Sequence, residues 1–233
     1  MKPTVVLAEA MLPNRQKLSL RRHDGHYHIR VGGELLMSTT ATASEAQMAE
    51  LAHAAFGAGA GQRVLIGGFG FGFTLRRMLE LVGPDVHVQV AELLPQIVEW
   101  NRVHLASVNG QLLDDPRVEV LLGDVFAVLG SAAPASYDAV LLDVDNGPEA
   151  LVDARNERLY ADVGLAALSR ALKPGGRAVF WSAGTDDRFL RRLKRAGFQA
   201  EALWAKAYPQ AQVKTHTLFV ADWPRRERPH SPE

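Results

Sequence analysis

The chain has no cysteine among its 233 residues, which excludes a thiol nucleophile, a thiolate zinc site and a disulfide framework. It also lacks an excess of either charge, with 26 Lys and Arg against 26 Asp and Glu. A balanced surface is a poor match for nucleic acid, which draws affinity from many basic contacts to phosphate. Long apolar runs are missing too. Nothing approaches the ~18 uninterrupted apolar residues of a membrane span. The opening Met1-Lys2-Pro3-Thr4 leads into a short apolar stretch that soon reaches Glu9, which predicts no signal peptide. A cytoplasmic protein with neither membrane nor nucleic-acid partner is the expectation. What is present suffices for a core: 47% of the residues are hydrophobic, and a chain of this length buries about 70–75% of its unfolded surface.

Residues 5–8, 17–21, 27–31 and 35–37 read as strands, with Asp24-Gly25 and Gly32-Gly33 as hairpin turns because these residues accept positive φ. They predict a small antiparallel β unit over residues 1–43. Ser44 is placed to cap a helix reaching residue 56, before the glycine-rich break at 57–61. From Arg63 onward short apolar runs alternate with helical patterns, the mark of a parallel sheet covered by helices. Strands are expected at 63–67, 86–91, 118–122, 139–142, 178–181 and 217–221. Helices are expected at 74–81, 95–105, 156–172 and 187–196. The fold class is therefore α/β, with one main α/β domain over 44–223 and a basic, proline-rich tail over 224–233.

In a doubly wound sheet ligands bind beyond the carboxyl ends of the strands, so the loops after the strands hold the candidate site. The first contains Gly68, Gly70 and Gly72, spaced Gly-x-Gly-x-Gly, with Phe73 where a dinucleotide fingerprint has its third glycine. These glycines allow close approach of a ligand to the backbone, or serve helix packing alone. Glu92 ends the second strand and can accept ribose hydroxyls, or favour the following helix start as a negative charge. Asp124 can accept from an adenine amine, or cap the next helix. The fourth loop, Asp143-Val144-Asp145-Asn146-Gly147-Pro148-Glu149, gathers three acids where a cleft should open. Turn chemistry explains Asn146-Gly147-Pro148 without explaining Asp143.

Taken in order, these loops resemble the spermidine synthase family, which shares the nucleoside-binding fold of S-adenosylmethionine-dependent methyltransferases. The glycine motif followed by Thr74-Leu75-Arg76, then Ala91-Glu92-Leu93-Leu94, Asp115-Pro116-Arg117-Val118, Gly123-Asp124-Val125-Phe126 and Leu172-Lys173-Pro174-Gly175-Gly176 carry the likeness. It implies a Rossmann-like, mostly parallel seven-stranded sheet, with Glu92 on the ribose, Asp124 on the adenine amine and association as a homodimer. The family's Asp-Glu-x-x-Tyr-His-Glu acceptor segment corresponds to Ser44-Glu45-Ala46-Gln47-Met48-Ala49-Glu50, which implies an acceptor contact for Glu50. Its Asp-Ser-Ser-Asp loop, whose second aspartate is catalytic, corresponds to Asp143-Val144-Asp145-Asn146. The family's glycine-loop aspartate is absent, and Phe69, Phe71 and Phe73 occupy that loop.

That absence bears on the donor. A carboxylate ~4 Å from a loop aspartate costs about 4 kcal/mol at an effective dielectric of 20, so a loop without an acid accepts S-adenosylmethionine itself. The expectation is a metal-free transferase that methylates a small, amine-bearing acceptor. Asp145 orients the nucleophile and Asp143 pairs with the donor ammonium, while Asn146, Glu149 and Tyr160 shape the acceptor pocket. Trp181 and Tyr160 serve either as pocket wall or as core. The alternatives are aminopropyl transfer from decarboxylated S-adenosylmethionine to a polyamine, and nucleoside binding without catalysis.

Overall fold

A computed structural model describes residues 3–57, 60–144, 156–208 and 210–225. Asp145, Asn146 and Glu149 lie outside these described residues. Strands β1 (Val5–Met11), β2 (Lys17–His23), β3 (His26–Val31) and β4 (Glu34–Ser38) form an antiparallel meander in that order. Its turns follow the sequence: Asp24 and Gly25 have φ of 48° and 81°, and Gly32 and Gly33 have 58° and 95°. Positive φ at both central residues matches the twist of a tight hairpin. Leu18, Leu20, Ile29 and Val31 are buried and cluster with Met48, Ile66, Leu75 and Met78. The meander thus shares its apolar core with the main sheet.

Helix α1 (Ala43–His53) leads into that sheet. The expected Ser44 cap is not found: Thr42 precedes the helix without a side-chain cap bond, and Ser44 is buried in the first turn. The alternating strands and helices are β5 (Arg63–Gly67), α2 (Phe73–Leu81), β6 (His87–Glu92), α3 (Pro95–Val103), α4 (Ala106–Asn109), β7 (Val118–Leu122), α5 (Val125–Ser131) and β8 (Tyr137–Leu142). Then follow α6 (Glu157–Tyr160), α7 (Asp162–Ala171), β9 (Leu172–Ser182), α8 (Asp187–Arg195), β10 (Gln199–Ala205) and β11 (His216–Asp222). The seven strands run β10-β11-β9-β8-β5-β6-β7, with β7, β6, β5, β8 and β9 parallel and the β10–β11 pair antiparallel. One face carries Val64, Ile66, Val88 and Val90 against α1 and the meander side. The other buries Leu65, Val140, Phe180 and Phe219. From β5 the chain winds outward to β7 and then returns to the other side of β5 as β8. That reversal opens the crevice between the β5 and β8 ends where ligands bind in such sheets.

Three expected elements differ. The helix expected over 95–105 ends at Val103, and a short helix begins anew at Ala106. The helix expected over 156–172 is broken at Ala161, which is extended with φ −85° and ψ 168°. Gly164 sits so close to this break that a Cβ would lie 2.3 Å from the Arg158 carbonyl oxygen. The Lys-Pro-Gly-Gly segment lies inside β9, where the register shifts between Tyr137↔Leu172 and Ala139↔Arg177. The strand missed by the sequence is β10. It forms the sheet edge and is largely exposed, so it lacks a buried apolar run.

Arg177 on β9 ties β11 to α1. Its Nε and one terminal nitrogen donate to the two Asp222 oxygens at 2.6 and 2.9 Å, and the other donates to the Leu51 carbonyl at 2.8 Å. A planar fork makes these parallel bonds where a lysine makes one. Arg177→Ala is therefore expected to cost about 1.5–3 kcal/mol, with Arg177→Lys recovering only part, as read by denaturant unfolding.

Candidate functional site

A cavity of about 340 Å³ opens at the switch point, within the size range of small-molecule sites. The first turn of α1 contributes Ser44 and Glu45, and β4 contributes Leu35, Leu36 and Met37. The loop after β5 gives Gly68, Phe69, Gly70 and Phe71, while Glu92, Asp124 and Asp143 come from the ends of β6, β7 and β8. Trp181 on β9 and His216 on β11 complete the wall.

The glycine loop has a steric reason for its composition. Gly68 has φ +89°, and a Cβ there would lie 2.1 Å from the Asp143 carbonyl oxygen. The Asp143 N–H in turn donates to the Gly67 carbonyl at 2.9 Å. Gly68 and Gly70 line the cavity. Gly72 does not; it is left-handed at φ 79° and precedes α2.

The four acids have different fates. Glu92 is buried, and its Oε2 and Oε1 accept from the Phe69 and Leu94 N–H groups at 2.9 and 2.8 Å. Burial raises its pKa against the opposing pull of these backbone bonds. A carboxylate has further lone pairs for a ribose. Asp124 caps α5 by accepting from the Phe126 N–H at 2.8 Å. Its other oxygen is ion-paired with Arg158, whose guanidinium stacks 4.4 Å from the centre of the Phe126 ring. Glu45 accepts from the Ser44 hydroxyl at 2.7 Å, and burial pushes its pKa up. Asp143 is pushed up to about 8, first by burial and then by the Glu45 charge.

Several sequence-based choices fall elsewhere. Glu50 is exposed and ion-pairs with Arg77 at 2.8 Å, outside the cavity lining. Tyr160 is packed among Phe180 and Phe189, with centroids 6.0 and 5.2 Å away, and it does not line the cavity. Its hydroxyl donates to the Val144 carbonyl at 3.4 Å, so it stays in the core beneath the loop after β8. Helical geometry explains Glu50, since residues five apart on a helix do not share a face. Glu45 instead faces the cavity, and its signal was its match to the acidic start of the acceptor segment. Ser44 and His216 were missed: one looked like a cap, and the other stands alone before a strand. Among the described residues no three His, Asp or Glu side chains group as a metal site, and no helix is long and apolar enough to cross a membrane.

Against this geometry, the model of the Spermine/spermidine synthase domain matches residues 45–189, more than half of the 233. The chain belongs to the spermine/spermidine synthase family. Polyamine aminopropyltransferases are among its relatives: one from Mycobacterium tuberculosis H37Rv is 39% identical over 118 residues, covering 50% of this chain and 22% of the relative. One from Prochlorococcus marinus MIT 9313 is 31% identical over 181 residues, covering 72% and 59%. The chain therefore spans less than two thirds of the length of either. Among solved structures, a spermidine synthase in complex with the transition-state analogue AdoDATO superposes with a TM-score of 0.73 at 18% identity, over 94% of this chain and 73% of that one. The Thermotoga maritima spermidine synthase gives 0.71 at 18% identity, over 94% and 72%. These likenesses establish the family's fold for this chain, with the seven-stranded sheet and N-terminal meander expected from the sequence.

Two outcomes follow from the geometry. Gly68→Ala should destabilise the protein by more than about 2 kcal/mol, since the left-handed backbone alone costs about 1–2 kcal/mol before the clash with Asp143, as measured by denaturant unfolding. Asp143 is neutral below about pH 8 when folded but ionises near pH 4 when unfolded. Its raised pKa therefore stabilises the unfolded state progressively as pH rises between these values. Asp143→Asn should lose stability less steeply over that window, as thermal unfolding across pH would report.

Proposed function

We propose that this chain transfers an aminopropyl group from decarboxylated S-adenosylmethionine to a polyamine, rather than a methyl group from S-adenosylmethionine. The observation that carries this reading is the Glu45–Asp143 pair in a cavity whose described lining has no lysine or arginine. The glycine loop lacks an acid, but α1 and the end of β8 supply two. A donor carboxylate placed ~4 Å from the Glu45 charge, the same charge that raises the Asp143 pKa, would be opposed by about 4 kcal/mol before screening. The decarboxylated donor has no such group, and its ammonium and sulfonium are cations that two crowded carboxyls favour. The aminopropyltransferase names of the relatives support the same choice.

In the reaction the lone pair of a neutral acceptor amine attacks the donor carbon next to sulfur. A C–N bond forms as the C–S bond breaks, its electron pair returns to sulfur, and 5′-methylthioadenosine leaves. The new ammonium carries the proton balance, and its proton passes to solvent. The sulfonium is already an activated leaving group, so the protein's task is placement, which contributes roughly 7–11 kcal/mol when both partners are held in line. Glu92 and Asp124 hold the nucleoside end, with Glu92 on the ribose. Glu45 and Asp143 hold the cationic chain. Orientation of the incoming amine is assigned to Asp145, with Asn146 and Glu149 from the same stretch of sequence.

Titration calorimetry with both donors tests the reading, and the decarboxylated form should bind at least about tenfold more tightly, a conservative fraction of the repulsion above. Mass spectrometry should then detect 5′-methylthioadenosine with a polyamine present. Tighter binding of S-adenosylmethionine, with S-adenosylhomocysteine as product, would overturn it.

A further inference from the structure

We infer that His216 recognises the acceptor amine through its Nε2 lone pair, and that Ser44 positions it by fixing which ring nitrogen carries the proton. The inference rests on the aminopropyl-transfer reading. Its basis is a count of protons at one hydroxyl. Ser44 Oγ has one hydrogen and two lone pairs. The hydrogen goes to Glu45 Oε2 at 2.7 Å, and Trp181 Nε1–H donates to one lone pair at 3.0 Å. His216 Nδ1 lies 3.2 Å from the same oxygen. With the hydroxyl hydrogen committed to Glu45, Nδ1 can bond only as a donor. A neutral imidazole protonated at Nδ1 leaves Nε2 bare, as an acceptor.

The ring is held as well as the tautomer. It packs 4.7 Å from the Trp181 ring, tilted by 56°, and it forms part of the cavity wall with Ser44, Glu45 and Trp181. No described residue supplies a hydrogen bond to Nε2. Ser44, which holds the ring, opens the α1 segment that resembles the family's acceptor segment, while Met48 and Ala49, at the positions of that pattern's tyrosine and histidine, are buried outside the cavity lining. Burial lowers the His216 pKa and favours the neutral ring. A neutral acceptor can take a hydrogen bond from an amine or ammonium N–H without adding positive charge beside it.

The charged surroundings fix the pH sign. The Glu45 carboxyl lies one hydroxyl away through Ser44, and the Asp143 carboxyl lines the same cavity; Lys206 follows β10 and exposed Lys214 precedes β11, while β9 presents uncharged Trp181. Protonating His216 turns Nε2 into a donor and places a cation beside a cationic acceptor. Acceptor KM should therefore rise on the acid side while donor affinity changes less.

The test uses the full chain, with 1,4-diaminobutane as the acceptor probe. His216→Phe keeps an aromatic ring against Trp181 and removes both nitrogens. It should raise acceptor KM about tenfold or more, the loss of one hydrogen bond to a charged group. The acid-side rise in KM should disappear, while donor affinity and the thermal midpoint stay close to the parent's. His216→Gln, whose amide reaches the Nε2 position, should recover part of the loss. Nitrogen NMR of the imidazoles, assigned by difference with His216→Phe, should show Nδ1 protonated, and Ser44→Ala should mix the tautomers. Calorimetric binding of the diamine to protein loaded with 5′-methylthioadenosine separates the two readings. Diamine binding that depends on His216, without aminopropyl transfer, would overturn the proposed function and leave His216 assigned. Transfer with acceptor KM in His216→Phe within twofold of the parent, or a parent ring protonated at Nε2, would overturn the inference alone. No diamine binding by the parent would overturn both.

Discussion

The site depends on a close approach of two backbone segments. At the end of β5 the chain turns through Gly68 with its backbone against the Asp143 carbonyl, at a spacing that a single Cβ would close to 2.1 Å. The same contact is pinned by the Asp143 N–H bond to the Gly67 carbonyl. Because β5 and β8 are neighbours that lead to opposite halves of the sheet, this is also where the crevice opens. Glycine serves the fold and the site together here: it lets the loop lie flat on β8, and it brings Asp143 to the cavity edge.

Electrostatics then divides the labour among the acids. Glu92 and Asp124 are committed to backbone N–H groups, and Asp124 also to Arg158. These bonds hold each carboxyl at one rotamer. Burial raises the cost of ionising both Glu45 and Asp143, and the Glu45 charge adds to that of Asp143. Two such groups are poorly solvated as anions and improve when a cation arrives. The neutral balance over the whole chain, 26 against 26, conceals an acidic cavity.

Much of the architecture was legible because it rests on local pattern. The hairpin turns at Asp24-Gly25 and Gly32-Gly33, the buried parallel strands and the glycine loop all announce themselves in residue type. The exceptions have physical causes. The edge strand β10 has an exposed, mixed sequence that local periodicity does not distinguish from a loop. The break between α6 and α7 reflects the tight seat of Gly164 against the preceding turn, a packing relation that a run of helix formers hides. In the site, motif order located Gly68, Glu92, Asp124 and Asp143, while the reading of Glu50 and Tyr160 as acceptor contacts ignored which way each side chain faces.

The sequence by itself determined the fold class, the order of the strands that carry the acids, and the likeness to the spermine/spermidine synthase family. Those properties are written in periodicity, turn chemistry and short motifs, each read within a few residues. Only the tertiary structure decided which further groups join those acids in the cavity, Ser44, Glu45, Trp181 and His216 among them. Ser44 and Trp181 are separated by 137 positions yet share a hydrogen bond, and Ser44 and His216 are separated by 172. The absence of an acid from the glycine loop suggested a place for a carboxylate. Packing of α1 onto the sheet brings Glu45 into the same cavity, where its charge acts on Asp143, because a field sums over neighbours in space and not along the chain.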